Sequence, residues 1–259
     1  MINRYYKDGQ RLDVAGLNEI TVLLDRSETE ILEIGWNCWR PDLDGPPHKH
    51  NDKDQIFYVT NGKGKVILDK KEYAVNPGCL IYVPAGMVHQ TITSGNISLC
   101  YMLFNIFIST EKEGHSSFAD HIEKVKQLRK RQAESGNAFL SGEETTADSK
   151  KEKYFTDVKS GKISEMEAMT KILLLKKNET GRFELEFIEW HRGKTSKTFT
   201  YSDREKVLFV LEGEGEITVN GVKELIKPGH LVFIPRNKDH SIRVMNKGLS
   251  YLCLNGLVV

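Results

Sequence analysis

Residues 59–91 read VTNGKGKVILDKKEYAVNPGCLIYVPAGMVHQT, and residues 210–242 read VLEGEGEITVNGVKELIKPGHLVFIPRNKDHSI. At a constant shift of 151 residues, Val59, Gly62, Gly64, Pro77, Gly78, Leu80, Pro84 and His89 fall on Val210, Gly213, Gly215, Pro228, Gly229, Leu231, Pro235 and His240. Turn formers and apolar positions coincide together, which marks an internal duplication of one structural unit. A chain of 259 residues has room for two such units of ordinary size. Whatever fold the first half takes, the second must take as well.

That fold is β. ITVLLD, ILEIGW, QIFYV, KVILD, CLIYVP and SLCYMLFNIF are apolar runs of strand length, rich in β-branched and aromatic residues. Between them stand Asn61-Gly62-Lys63-Gly64, Asn76-Pro77-Gly78, Pro84-Ala85-Gly86 and Ser94-Gly95-Asn96, which are turn sequences. Many short strands at regular spacing predict an all-β chain of two tandem sandwiches or barrels. The expected boundaries are residues 1–112 for the first unit, 113–165 for a linker and 166–259 for the second.

In the linker, Phe118, Ile122, Val125 and Leu128 share one helical stripe, with Ser117 as the N-cap. Lys124, Lys126, Arg129, Lys130 and Arg131 occupy the opposite, solvated face. SGEETTADSKKEK, residues 141–153, reads as mobile chain. Lysine and arginine total 37 against 36 acidic residues, so no global field favours nucleic acid or an anionic membrane. The N-terminal MINRYYKDGQ lacks a signal-like apolar run, and no segment approaches membrane-span length. Cys38, Cys79, Cys100 and Cys253 are scattered with no CxxC pair, and are expected as reduced thiols of a cytoplasmic protein.

The chemistry concentrates in GPPHKHNDKDQIFYVTNGKG, residues 45–64, and in PGCLIYVPAGMVH, residues 77–89. His48 and His50 are two apart, so on an extended segment both imidazoles leave the same face. His89 follows a turn that launches a new strand. Two neighbouring histidines and one distant one are how a metal site is built across adjacent strands. His115, His121, His191 and His230 have no partner at ligand spacing and are given no role.

These two stretches resemble the two motifs of the cupin family. The first is a glycine followed by HxH, a fourth ligand five positions on, and a closing glycine. The second carries the last histidine. Because the resemblance covers both halves, it implies a bicupin, each half a small jelly-roll β-barrel. The implied metal ligands are His48, His50, Gln55 and His89, with Asp54 as the alternative to Gln55. The implied cofactor is one divalent ion per chain, drawn from iron, manganese, nickel, cobalt or zinc. Cupins often dimerise through sheet edges, so a homodimer is the expected assembly.

Cupins of this ligand type usually carry glutamate where this chain has Gln55. Three neutral imidazoles and a neutral amide leave the full 2+ charge on the ion, which suits Lewis-acid work on a small oxygenated molecule. The set resembles isomerase, lyase and cyclase cupins, among them ring-opening enzymes of unsaturated uronates. Those carry Asp-x-Phe on the last strand and an arginine just after it, where this chain reads Asn105-Ile106-Phe107 with no arginine before Lys112. The class of reaction is therefore expected on a carboxylated or sugar-derived small molecule, without that particular substrate. The alternatives are a dioxygenase of the bicupin type and a non-catalytic metabolite or sugar binder. Candidate substrate residues are Arg40, Tyr58 and Asn105. Trp36, Trp39, Tyr101 and Met102 are further residues for which core packing explains the pattern equally well.

In the second half the same shift puts Phe199, Tyr201, Lys206 and His240 at the ligand positions. An ammonium has no lone pair for an ion, and two aromatic rings fill its space. The second barrel is expected to bind no metal.

Overall fold

The computed structural model describes residues 1–112, 116–134, 144–148 and 151–258, without the side chains of residues 128, 129, 131–134 and 246. His115 and the side chains of Leu128, Arg129 and Arg131 lie outside the described residues. The chain opens with β1 (Ile2–Tyr5), β2 (Gln10–Val14), β3 (Asn18–Leu24), β4 (Leu32–Trp39) and β5 (Lys53–Asn61). Next come β6 (Gly64–Leu68), β7 (Lys71–Val75), β8 (Leu80–Val83), β9 (His89–Thr93) and β10 (Leu99–Phe107). Helix α1 (Phe118–Glu134) and β11 (Lys153–Phe155) precede β12 (Lys162–Glu165) and β13 (Met169–Leu175). The short helix α2 (Lys177–Thr180) leads to β14 (Phe183–Trp190), β15 (Arg204–Val219), β16 (Val222–Ile226), β17 (His230–Ile234) and β18 (His240–Leu257).

Two compact units result, Gln10–Asp157 and Met1–Gly9 with Val158–Val259. In the first, a sheet of order β11-β8-β5-β10-β4-β3-β2 accompanies a second sheet of order β7-β6-β9. Val66, Leu68 and Val75 from the small sheet meet Val22, Phe57, Val59, Ile81 and Leu103 from the large one in a single apolar core. In the second unit the order is β1-β17-β15-β18-β14-β13-β12, with β16 on β15. The duplication extends to register. Outside the strands, His48 bridges His89 and Asp44 bridges Ile92, while Phe199 bridges His240 and Thr195 bridges Arg243.

Three expectations are corrected. Residues 1–9 belong with the second unit, because β1 supplies an antiparallel edge to β17 from Ile2↔Phe233 to Tyr5↔His230. The described part of the expected mobile segment is fastened to the first unit. Thr146 N–H donates to the Gly86 carbonyl at 2.9 Å, and β11 pairs with β8. Finally, Cys38 and Cys100, directly opposed on β4 and β10, form a disulfide, while Cys79 and Cys253 are free and buried. No described helix is long and apolar enough to cross a membrane.

Helix α1 begins as expected, with Asp120 N–H donating to Ser117 Oγ at 3.2 Å. Asp25 also accepts the Phe118 N–H at 3.0 Å, which ties the helix start to the barrel. Its stripe residues Phe118 and Ile122 are buried in the first core. Burying such side chains stabilises by about 2 kcal/mol each, which holds the helix against the barrel.

Candidate metal centre

The three histidines converge because of backbone pairing. His48 N–H donates to the His89 carbonyl at 3.0 Å, and His89 N–H returns to His48 at 2.8 Å. Gly86 N–H donates to the His50 carbonyl at 2.7 Å, locking the turn before β9 to the ligand loop. Gly86 has φ of +82°, and a Cβ there would lie 2.5 Å from Thr146 Oγ1, so a glycine is required. The ring centroids of His48 and His89 are 4.3 Å apart, those of His48 and His50 5.0 Å, and those of His50 and His89 5.6 Å. One ring nitrogen from each lies within 4.8 Å of the others.

The Nδ1 contacts set the tautomers. His48 Nδ1 lies 2.9 Å from the Pro46 carbonyl and His89 Nδ1 3.0 Å from that of Met87. A carbonyl only accepts, so Nδ1 carries the proton in both rings and Nε2 is left to bind. Burial holds the His50 and His89 imidazoles well below the usual range, with Lys53 and the neighbouring imidazoles lowering His50 further. Neutral imidazole is the form that ligates a metal.

Gln55 lies on β5 at 5% exposure. Its orientation follows from a chain of hydrogen bonds that ends in a carboxylate. Glu33, fully buried on β4, can only accept, so Asn105 donates to it through Nδ2 at 2.9 Å. Asn105 Oδ1 then accepts from Gln55 Nε2 at 2.9 Å. That leaves Gln55 Oε1 buried with no hydrogen-bond partner. An orphaned amide oxygen costs about 1–3 kcal/mol unless something positive meets it. The donor set of three imidazole nitrogens and one amide oxygen therefore fits a divalent cation. Glu33 adds a negative charge two hydrogen bonds removed, through Asn105, which polarises the amide.

A cavity of about 330 Å³ opens onto these groups. Asn105, Trp39 and Tyr101 line it, as do Phe118, Ile122 and Val125 of α1. His121, assigned no role from sequence, also lines it, with its ring 6.2 Å from that of His50 and Nδ1 3.6 Å from Glu33 Oε1. Arg40 does not; it is exposed and pairs with Asp13 at 3.0 Å. Tyr58, Trp36 and Met102 are also absent from the lining, since strand alternation turns them to the other face from Phe57, Asn37 and Tyr101. Asp54 is turned likewise and accepts the Ala85 N–H at 2.7 Å.

In the second barrel, the rings of Phe199, Tyr201 and His240 lie 5.8 to 6.1 Å from one another. Lys206 Nζ sits 5.3 Å from the centre of the Tyr201 ring. An ammonium and two aromatic rings stand where the first barrel has two imidazoles and an amide.

The Cupin domain family matches residues 38–104 and again residues 187–254, just over half of the chain. The protein belongs to the cupin family and carries two cupin domains. An uncharacterized protein of Methanocaldococcus jannaschii is 35% identical over 52 residues, 20% of this chain and 42% of that one. The stretch shared with that curated relative thus spans less than half of its length. Among solved structures, the oxalate decarboxylase of Lactobacillus farciminis, determined as a formate complex, is similar with a TM-score of 0.65 and 12% identity. It is matched over 99% of this chain and 86% of its own. The 11S globulin of Wrightia tinctoria, described as revealing an auxin binding site, gives a TM-score of 0.69 at 12% identity, over 99% of this chain and 83% of that one. At such identities the likeness concerns the fold.

Proposed function

We propose that the protein is a metal-dependent bicupin enzyme of the isomerase, lyase or cyclase type, acting in the first barrel on a small oxygenated molecule. The observation that carries this reading is the uncharged donor set, His48, His50, His89 and the orphaned oxygen of Gln55. A divalent ion held there supplies Lewis acidity toward a carbonyl or hydroxyl oxygen of the substrate. The chain's own groups do the rest. Glu33 and Asn105 fix the direction of the Gln55 amide. His121, facing Glu33, is the imidazole outside the triad placed to hold or move a proton in the cavity. Phe118, Ile122 and Val125 of α1 exclude water from one wall.

Beyond the ion itself, the lining offers no unengaged cation among the described residues to a charged substrate group, which favours a neutral hydroxy-carbonyl substrate. No arginine lines the cavity among the described residues, and its two lysines are already engaged. Lys49 Nζ donates to the Glu144 carbonyl at 2.9 Å and Lys124 Nζ to Asp120 at 3.0 Å. Metal exchange under anaerobic conditions tests the proposal with a panel of hydroxy-ketones and cyclic diketones. Turnover with zinc or nickel in place of a redox metal is expected. Strict dependence on iron and oxygen would overturn it in favour of a dioxygenase.

A further inference from the structure

Away from the histidines, the same cavity contains polar groups that the metal centre does not use. Asn18 Nδ2 donates to Asn37 Oδ1 at 2.7 Å, and Asn37 Nδ2 donates to Tyr101 Oη at 2.9 Å. Trp39 Nε1 also donates to Tyr101 Oη at 2.9 Å. An indole N–H can only donate, so the Tyr101 oxygen accepts, and Thr91 Oγ1 lies 3.5 Å from that oxygen. At the head of this chain Asn18, 3% exposed, is left with a buried Oδ1 that has no hydrogen-bond partner. All five side chains line the cavity.

The chain's own second barrel shows which of these groups the fold needs. There Trp190 Nε1 donates to Tyr251 Oη at 2.9 Å, in the place of Trp39 and Tyr101. The strand registers correspond as well. Asn18 opposes Trp39 as Met169 opposes Trp190, and Ile20 opposes Asn37 as Lys171 opposes Ile188. Val66 opposes Thr91 as Ile217 opposes Ile242. So Met169, Ile188 and Ile242 stand where the first barrel has Asn18, Asn37 and Thr91. Ile188 and Ile242 are buried apolar core of the second barrel, with Met169 packed against it. The tryptophan–tyrosine bond is a property of the barrel. The two asparagines and the threonine occur only in the barrel that also has the three histidines.

We propose that Asn18, supported by Asn37, Tyr101 and Thr91, is a second recognition point that accepts a hydrogen bond from a hydroxyl or N–H at the far end of an uncharged, largely apolar substrate. The distance sets the shape of that substrate. Asn105, beside Gln55, and Tyr101 are four residues apart on β10, roughly 13 Å at the usual rise per residue. Ile20, Phe57 and Leu103 line the cavity and are apolar. The substrate class is an elongated molecule with an oxygen function at the metal end, an apolar body and a donor at the other end, as in phenolic or cyclic hydroxy-carbonyl compounds. This inference rests on reading the first barrel as a substrate site.

Two matched hydroxamic acids test it on zinc-loaded protein, one with a para-hydroxyphenyl end and one with a para-methyl end. The wild type is expected to bind the hydroxylated probe roughly tenfold more tightly, the size of one neutral hydrogen bond. N18M, which installs the residue of the second barrel, is expected to erase the preference, and N18D to retain it. Melting temperatures of both variants separate this from loss of fold. Equal binding of the two probes by the wild type, or a loss in N18M shared by both probes, would overturn the inference. If the wild type holds no zinc, the metal reading has failed separately. The preference is then read in metal-free protein with para-cresol against para-xylene, where equal binding again overturns it.

Discussion

Replacing His89 by alanine is expected to abolish metal binding while leaving the fold in place. The same outcome is expected for H48A. Each substitution removes one of three imidazoles that converge within 4.8 Å, and leaves two imidazoles and the weakly donating Gln55 amide oxygen, too few strong donors to hold the ion. The barrel should survive because its core is apolar and continuous without the ion, from Val22 through Phe57 to Ile81. Loss of affinity should exceed the 10- to 100-fold typical of removing an outer partner of a ligand. Equilibrium dialysis against zinc and circular dichroism, run on the same samples, measure the two halves of this statement. Full metal occupancy in both variants would show that other residues are the ligands.

E33Q should produce the second-largest effect, and through two separate causes. Glu33 anchors the direction of two amides because a carboxylate cannot donate. A glutamine can, so Asn105 and Gln55 lose the constraint that aims Gln55 Oε1 into the site. Metal affinity is expected to fall 10- to 100-fold. The substitution also strips the buried Lys53, 1% exposed, of an anion that raises its pKa against the lowering effect of burial. Asp52 still favours the charged form of Lys53, so the expected cost is about 1–3 kcal/mol, below that of stripping a buried ion of all counter-charge. Zinc titration calorimetry and denaturant unfolding would detect the two effects independently. Unchanged affinity with lowered stability would mean that Glu33 balances Lys53 without orienting the amide.

What was legible in the sequence follows from what the duplication and the motif contain. Both record local chain order, and His48, His50, Gln55 and His89 lie within such stretches. The degenerate second set, Phe199, Tyr201, Lys206 and His240, was legible for the same reason. The groups that were missed depend on pairings between distant strands. Cys38 meets Cys100 only through the register of β4 and β10. Asn18 reaches Asn37 only through that of β3 and β4. His121 sits on a helix whose amphipathic pattern was visible, but nothing in that pattern says that the helix lies along a barrel cavity. Arg40 lies close in sequence to the ligand loop, but closeness along the chain does not set direction, and its side chain points out to Asp13. Strand period could have excluded Tyr58, since it follows the inward-facing Phe57 by one residue.

The second barrel sharpens the central claim, because it is the same fold with the site's chemistry removed. Lys206 and the Phe199 and Tyr201 rings replace the amide and two imidazoles, and His240 alone remains of the set. Elemental analysis of purified, metal-reconstituted protein is the direct measurement. Close to one equivalent of divalent metal per chain is expected. Close to two equivalents, with the second ion near His240, would contradict this, and so would a wild-type chain that retains none.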